Sequence, residues 1–207
     1  MFSELTTHDL PSRPALFQSM YHDRKAIFVD RLKWNLQHDG QQERDQFDNE
    51  IARYLVLHDP KTEQHLASVR LLPTTRPHLM SELFPHLCED GVPTGPQIWE
   101  ITRLIISPGV MRRDRLTYRN MLVRALIEYA VLTGIQKYTC VCEIDFLSQL
   151  LAGGWRCTPL GLPQSVGGSL AGALLIHIEP DTLSRTRASW RFDSPVFRFD
   201  ATGALAA

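Results

Sequence analysis

The sequence lacks an apolar run long enough to cross a membrane. Its first ten residues, MFSELTTHDL, have neither a basic start nor an apolar core. The most apolar later stretch, residues 171–178, falls far short of the roughly 20 residues that a spanning helix needs. Cysteine is also scarce, with four in 207 residues, which argues against a disulfide framework. We therefore expect a cytoplasmic protein with reduced thiols, no signal peptide and no membrane insertion.

Neither sign of charge dominates, because 22 Lys and Arg stand against 23 Asp and Glu. A near-neutral chain has no overall field that attracts nucleic acid or anionic lipid, so an electrostatic partner must bind a local patch. Motifs with a fixed mechanism are missing as well: there is no Walker loop, GxGxxG, HExxH, GxSxG or paired CxxC. Their absence argues against P-loop and zincin chemistry, and we expect no bound metal ion.

The chain shows no internal repeat, low-complexity tract or linker. We expect a single domain over residues 1–190, followed by a partly ordered C-terminal tail, 191–207. Apolar periodicity predicts helices over residues 14–33, 116–133 and 146–151, and strands over residues 52–58, 65–72, 98–107, 137–142 and 173–179. The polar residues between 34 and 50 predict a long surface loop. Together these elements predict an α/β sheet flanked by helices on both faces.

Three charged residues interrupt apolar strands. Glu100 and Arg103 lie in the run IWEITRLII, and Arg70 lies in SVRLLP. A spacing of three puts the first two on opposite faces of a strand unless a bulge intervenes. One interpretation is a structural ion-pair network. The other is a site in which arginines keep a buried carboxylate ionised so that it can act as a base.

Cys140 and Cys142 alternate along the strand over 137–142 and so share one face. Two thiols on one face are compatible with half of a metal site. No second pair with the spacing of metal ligands accompanies them, so we interpret them as apolar packing.

Charged and aromatic residues recur in a definite order between residues 20 and 110. They are Arg24-x-x-x-Phe28, Trp34, Asp45-x-x-Asp48, Arg70-Leu71-Leu72-Pro73-Thr74-Thr75, Phe84 and Trp99-Glu100-x-x-Arg103. In this order and at these separations they resemble the signature of the acyl-homoserine lactone synthases, the autoinducer synthases of bacterial quorum sensing. The chain after residue 110 is similar to that family only in pattern.

The resemblance implies an N-acetyltransferase-like three-layer fold, in which a mixed sheet opens into a V-shaped cleft and helices cover both faces. It also implies a reaction between S-adenosylmethionine and an acyl thioester, usually on acyl carrier protein. S-adenosylmethionine is then a substrate, and no cofactor is expected. The resemblance assigns its binding to six residues: Arg24, Phe28, Trp34, Asp45, Asp48 and Arg103. Ordinary helix packing is the alternative for the two aromatic residues, and a solvated loop is the alternative for the two aspartates.

The chemistry of this reaction requires a base. An α-amino group with a pKa of about 8 is mostly protonated at pH 7 and cannot attack a thioester carbonyl. Glu100, kept ionised by arginines and acting directly or through a water, is the candidate base, with Arg70 and Arg103 as its catalytic partners. The carboxylate of the acylated intermediate then attacks the carbon beside the sulfonium, which closes the lactone and expels methylthioadenosine; this step needs positioning more than a catalyst.

A basic turn at the start of the central predicted helix contains Arg112, Arg113, Arg115 and Arg119. It is either a solvated turn or a docking surface for acidic acyl carrier protein. In the wider acetyltransferase fold, this turn holds a Gly-containing loop for the pyrophosphate of coenzyme A. The sequence PGVMRRDRLT lacks that pattern, which favours carrier protein over acyl-coenzyme A as the donor.

The acyl-chain pocket is predicted from Met121 and Leu122 on the central predicted helix, from Cys142 on the strand after it, and from Phe84. In the family, makers of 3-oxo products tend to have Ser or Thr in the strand that enters this pocket. The position falls near Cys142, whose thiol is a weak donor, so we predict an acyl chain without a 3-oxo group. The alternative is that Cys142 is core and Thr139 supplies a hydroxyl.

Two other functions compete with this one. A coenzyme A-dependent N-acyltransferase acting on a different amine would release no methylthioadenosine. A nucleic-acid-binding regulator would use the basic turn, but the chain has neither a helix-turn-helix signal nor net positive charge, so we expect no nucleic-acid partner.

Overall fold

The computed structural model of the chain describes residues 1–191, 195–199 and 205–206. Five α-helices occur in this part: α1 (Pro14–Arg24), α2 (Leu79–Leu83), α3 (Arg112–Thr133), α4 (Ile144–Ala152) and α5 (Thr182–Trp190). Ten strands accompany them: β1 (Phe2–Leu5), β2 (Arg53–His58), β3 (His65–Pro73), β4 (Ile98–Ile106), β5 (Lys137–Glu143), β6 (Arg156–Pro159), β7 (Gln164–Val166), β8 (Ser169–His177), β9 (Arg198–Phe199) and β10 (Leu205–Ala206). The three predicted helices and the first four predicted strands are confirmed, with shifted ends.

Eight of the strands form one mixed sheet in the order β1-β2-β3-β4-β5-β8-β6, with β7 beside β8. β4 and β5 run parallel, and their pairing extends from Ile98↔Lys137 to Glu100↔Thr139. β5 then pairs with β8 in antiparallel orientation along its whole length. β4 is therefore held to β5 at its beginning, and the predicted mixed sheet is confirmed.

The chain forms two compact units. The first comprises Met1–Leu71, Arg103–Ala125 and Pro195–Ala207, and the second comprises Leu72–Thr102 and Leu126–Ser194. β4 and α3 each contribute to both units. The prediction of a single domain over residues 1–190 stays a prediction.

The first helix illustrates how the sequence sets local structure. Pro14 occupies the first helical turn, where its missing N–H group is not needed, and α1 buries Leu16, Phe17 and Met20 on one side. The chain then continues through a π-helical segment, Lys25–Arg31, that buries Ile27 and Phe28. Because a π turn takes up more residues than an α turn, the apolar period changes there, and such turns are frequent at functional sites.

α3 begins at Arg112, one turn earlier than the apolar pattern predicts, because its first turn is basic rather than apolar. It ends at the predicted place, where Gly134 adopts a positive φ of 75°. Two strands and two helices of the second unit were not predicted because they are short or weakly patterned: β6, β7, α2 and α5. β1 in the first unit was also missed.

The late strand predicted over 173–179 is displaced, since β8 runs over Ser169–His177. The predicted tail, 191–207, lies partly outside the described residues; within them, β9 and β10 pair in antiparallel orientation. Among the described residues, no helix combines the length and apolar character needed to cross a membrane.

Candidate functional site

A cluster of three guanidinium groups and three carboxylates occupies the first unit. Arg24 donates from Nη1 and Nη2 to both carboxylate oxygens of Asp48, at 2.8 and 2.9 Å, and from Nε to Glu43 at 2.6 Å. The Arg24 side chain is 1 % exposed and that of Glu43 is fully buried. Such a paired geometry offsets the high free energy of removing these charges from water.

The two aspartates of the D-x-x-D motif form a turn that directs both carboxylates toward the guanidinium groups of the cluster. The Asp45 backbone N–H donates to Asp48 Oδ2 at 2.9 Å, and the Asp48 N–H donates to the Asp45 carbonyl at 3.0 Å. Arg70 on β3 pairs with both aspartates, and Arg103 on β4 donates to Asp45 Oδ2 at 2.8 Å. A solvated loop is therefore the wrong interpretation of Asp48, whose side chain is 1 % exposed.

Glu43 is the member of the cluster that the sequence analysis missed. It connects Arg24 to Arg103, whose Nη2 lies 2.9 Å from Glu43 Oε1. The residue lies in the polar stretch expected to be a surface loop, and its backbone N–H donates to the Tyr21 carbonyl. The available signal was its spacing, because Glu43 and Asp45 alternate just before Phe47, which is buried as well. The second half of the predicted surface loop is therefore fixed by contacts with the rest of the first unit.

The charges of the cluster reinforce one another. Burial raises the pKa of Asp48, but the adjacent Arg24 and Arg70 outweigh it and hold that pKa well below its usual range. Burial and the negative charge of Asp48 raise the pKa of Tyr54, whose hydroxyl donates to Asp48 Oδ1 at 2.8 Å. Asp48 is therefore a structural anion, whereas Asp45, with 17 % of its side chain exposed, is the carboxylate open to a ligand.

An aromatic surface lies beside the open end of this cluster. Phe28 and Trp34 stack with ring centroids 5.1 Å apart and an interplanar angle of 19°. The Arg103 guanidinium lies 5.3 Å from the Phe28 centroid. Helix packing explains part of this arrangement, since Ile27, Phe28 and Ile105 form a buried cluster with Trp34 against it. Trp34 remains half-buried and presents a π surface next to charged groups.

Arg103 has a left-handed backbone conformation, with φ of 51°, inside β4. A non-glycine residue in this region is uncommon and interrupts the alternation of a strand. The strict alternation that would separate Glu100 from Arg103 therefore does not hold through this point. Backbone strain of this kind is typically retained at functional sites.

Glu100 belongs to the second unit and is fully buried. Its Oε1 accepts the Met80 backbone N–H at 2.9 Å, at the beginning of α2. In register with it on β5 lies Thr139, also fully buried. The prediction that arginines keep Glu100 ionised stays a prediction.

The basic turn lies at the positive end of the 22-residue helix α3. Arg112 and Arg113 are exposed, whereas Arg115 donates to the Ser107 carbonyl at 3.0 Å and Arg119 contacts Asn120. Cations are unfavourable at a helix N-terminus, and in this turn Arg113 lies 3.7 Å from the Asp114 carboxylate. Of the four arginines predicted to dock a carrier protein, Arg112 and Arg113 are the exposed ones, and the docking role stays a prediction.

The four predicted acyl-pocket residues divide between the units, with Met121 and Leu122 on α3 in the first and Phe84 and Cys142 in the second. Phe84 packs on a buried apolar cluster that contains Met80 and Ala173 and is joined by Val141. Val141 faces Ala173 across the β5–β8 pair, so Cys142, one residue further, points to the opposite face.

Cys142 and the cluster that contains Phe84 thus lie on opposite faces of β5, and the prediction that both line the acyl-chain pocket stays a prediction. Strand alternation places Cys142 on the face of Cys140, whose thiol is hydrogen-bonded to it. That bond lowers the pKa of Cys142, although burial opposes the shift. The prediction of an acyl chain without a 3-oxo group stays a prediction.

The mixed sheet with a short parallel β4–β5 pair, flanked by helices, is an N-acetyltransferase-like fold. A solved structure described as a putative N-acetyltransferase from Lactobacillus plantarum shares the fold with a TM-score of 0.56 at 17 % identity, covering 86 % of this chain and 99 % of that one. The family model for autoinducer synthases matches residues 8–187. The chain belongs to the autoinducer synthase family, and it is an acyltransferase of the acyl-homoserine-lactone synthase type.

Two relatives show how far the similarity extends. The isovaleryl-homoserine lactone synthase of Bradyrhizobium diazoefficiens is 33 % identical over 162 residues, which cover 77 % of this chain and 72 % of the relative. The solved structure of BjaI, described as a coenzyme A-dependent acyl-homoserine lactone synthase with S-adenosylmethionine and isopentyl-coenzyme A, has a TM-score of 0.83 at 28 % identity. That alignment covers 94 % of this chain and 90 % of BjaI.

Proposed function

We propose that this synthase acylates the amino group of S-adenosylmethionine from an acyl thioester and closes the product to an acyl-homoserine lactone, releasing methylthioadenosine. The observation that carries the proposal is the buried cluster of Arg24, Glu43, Asp45, Asp48, Arg70 and Arg103, whose exposed end lies beside stacked aromatic rings. The solved relative with bound S-adenosylmethionine supports the same substrate.

The cluster matches the charges of S-adenosylmethionine. Asp45 is the carboxylate open to a ligand and suits the ammonium group, and Arg103 suits the carboxylate. The half-buried Trp34, stacked on Phe28, suits the sulfonium or the adenine ring. Arg24, Asp48 and Arg70 are buried and hold these groups in place. A cavity of about 460 Å³ opens beside Asp45 and is bordered by the loop residues His38 and Arg44.

Glu100 serves as the base of the first step. It takes a proton from the ammonium, directly or through a water, and the freed amine attacks the thioester carbonyl. Collapse of the intermediate forms the amide as the carbon–sulfur bond breaks, and the second proton of the nitrogen passes to the thiolate, which leaves as the thiol. The substrate carboxylate then attacks the carbon next to the sulfonium, forming the ester bond as the carbon–sulfur bond breaks.

The donor is a thioester of phosphopantetheine, carried either by acyl carrier protein or by coenzyme A. The exposed Arg112 and Arg113 at the N-terminus of α3 suit a phosphate group of either source. The missing Gly-containing loop favours carrier protein, whereas BjaI is described as coenzyme A-dependent. Kinetics with the same acyl group on both carriers decides between them.

The proposed function is tested by incubating the purified protein with S-adenosylmethionine and an acyl thioester, and by detecting both products with mass spectrometry. We expect equal amounts of methylthioadenosine and acyl-homoserine lactone. Thiol release without methylthioadenosine would instead support an N-acyltransferase that uses another amine. Mass spectrometry of lipids from cells that express the protein gives the acyl chain length.

A further inference from the structure

Thr139 is a fully buried residue on β5 in the second unit. No hydrogen-bond partner of its Oγ1 atom occurs among residues 1–191 and the other described positions. A buried hydroxyl without a partner is destabilising, because the water that it bound in the unfolded chain has not been replaced. Such a group is expected to have a partner in some functional state of the protein.

The register of the sheet shows where this hydroxyl points. Thr139 lies opposite Glu100 in the parallel β4–β5 pair, so the two side chains emerge on the same face. Two residues further along β5, Val141 lies on that face opposite Ala173 of β8. Both join the apolar cluster of Met80, on which Phe84 packs. The Met80 backbone N–H binds Glu100, which places α2 on this face as well.

A single face of the second unit therefore presents, in sequence, a carboxylate, a hydroxyl and an apolar cluster. An acyl thioester has the same order of groups: the amine attacks one end, the carbonyl comes next and the hydrocarbon chain follows. When the hydrocarbon chain of the donor lies on the apolar cluster and the attacking amine lies beside Glu100, the carbonyl of the donor lies next to Thr139. Binding of the donor there requires side chains of the cluster to move, because Glu100 and Thr139 are fully buried.

We propose that Thr139 is a catalytic residue whose hydroxyl donates a hydrogen bond to the thioester carbonyl oxygen. This proposal rests on the proposed function. As the amine nitrogen forms its bond to the carbonyl carbon, the π electron pair moves to this oxygen, and the hydroxyl stabilises the negative charge without giving up its proton. When the pair returns, the carbon–sulfur bond breaks and the thiolate leaves. Glu100 holds the proton first taken from the ammonium, and the second proton lost from the nitrogen passes to the thiolate, which leaves as the thiol.

The decisive variant is Thr139→Val, which removes the hydroxyl and keeps the volume and the strand preference. We expect kcat to fall by about 10²-fold, the effect of removing one such donor, while the KM for S-adenosylmethionine stays unchanged. Thr139→Ser, which keeps a hydroxyl, should retain most of the activity. The melting temperature of the valine variant should equal or exceed that of the parent, because a buried unpartnered group has been removed.

Thr158→Val is the matched control. Thr158 lies in the same row of the sheet, since Leu175 of β8 pairs with both threonines, but its side chain is exposed and binds His177. This variant should keep the parent kcat. If the valine variant at position 139 fails to fold, Thr139→Ala removes the same hydroxyl.

Two results would overturn the proposal. One is a parent-like kcat for a folded variant without the Thr139 hydroxyl. The other is a loss confined to 3-oxo donors, which would place the hydroxyl beside the third carbon rather than the carbonyl. Thiol release is measured separately from methylthioadenosine release. A parent enzyme that forms only the thiol contradicts the proposed function. The ratio of thiol-release rates between the Thr139 variant and the parent still tests the role of Thr139.

Discussion

Arg24 and Asp48 form a two-bond ion pair in which each side chain is 1 % exposed. A pair buried to this extent is held by its neighbours: Glu43 engages the remaining guanidinium nitrogen, and Tyr54 donates to the carboxylate. Replacing buried ion pairs by apolar residues is often neutral or stabilising, so a pair of this kind is weak evidence for stability as such. Its position next to Asp45 indicates that it fixes the exposed end of the cluster.

Asp48→Asn should lower the free energy of unfolding by about 3–5 kcal/mol, because it leaves the Arg24 charge buried without a full counter-charge. Urea unfolding measures the change, and Glu50→Gln, an exposed carboxylate on the same loop, is the control. The Asp48 pKa is lowered in the folded state, so its contribution is present above the unfolded pKa of about 3.9 and is lost as the pH falls further. A variant as stable as the parent at pH 7 would show that the pair is dispensable.

His65 should make stability depend on pH in a higher range. The ring is fully buried, with Nδ1 2.7 Å from Asp23 and Nε2 2.9 Å from the Ser68 hydroxyl. Burial lowers its pKa below 6.5, and Asp23 opposes this only in part. The unfolded state therefore binds more protons, and stability should fall as the pH drops below about 6.5.

Melting temperatures measured between pH 7.5 and 5 test this expectation. His65→Gln should flatten the pH profile, although His58, whose pKa burial also lowers, keeps part of the slope. His8→Gln, at an exposed position, should leave the profile unchanged. A parent profile that is flat in this range contradicts the buried neutral ring.

Glu100→Gln should reduce turnover by about 10²- to 10⁴-fold, the usual contribution of a general base, and should leave S-adenosylmethionine binding largely intact. The substitution keeps the volume and removes the charge. Steady-state release of methylthioadenosine is the measurement, and Glu82→Gln on the exposed side of α2 is the control. Activity within about threefold of the parent rules out the role of base, and loss of folding supports a structural ion pair.

Charge reversal at Arg112 and Arg113 should raise the KM for the acyl donor and leave the KM for S-adenosylmethionine unchanged. The effect should shrink as salt is added, because attraction between exposed charges is screened. Parallel measurements with carrier-protein and coenzyme A donors show which of them depends on the turn. A rise in both KM values, or in neither, contradicts the docking role.

Hydrogen exchange should divide the polar loop in two. Its second part is anchored by Glu43, Asp45, Phe47 and Asp48, and should be protected without ligand. Residues 35–42 are mostly exposed and should gain protection when S-adenosylmethionine binds. Uniform exchange over residues 35–48, with or without ligand, argues against this division.

The sequence by itself determined much of this protein. Apolar periodicity located α1, α3 and four strands, since burial on one face imposes a period of 3.6 or 2 regardless of the partner. The charged and aromatic motifs indicated the family, because they combine uncommon residue types at fixed separations over about 80 residues of the chain. Short elements such as α2 and β7 have too few residues for a period to emerge.

Tertiary structure decided which groups meet. Arg103 and Glu43 are 60 residues apart, so no local pattern predicts their ion pair. The left-handed backbone at Arg103 shows that alternation cannot be extrapolated along β4. Register settled that Thr139 shares a face with Glu100 while Cys142 points away, because a shift of one residue in strand pairing exchanges the two faces. Contacts between residues far apart in the chain and the register of strand pairing both depend on how the whole sheet packs. A local stretch of sequence does not specify that packing.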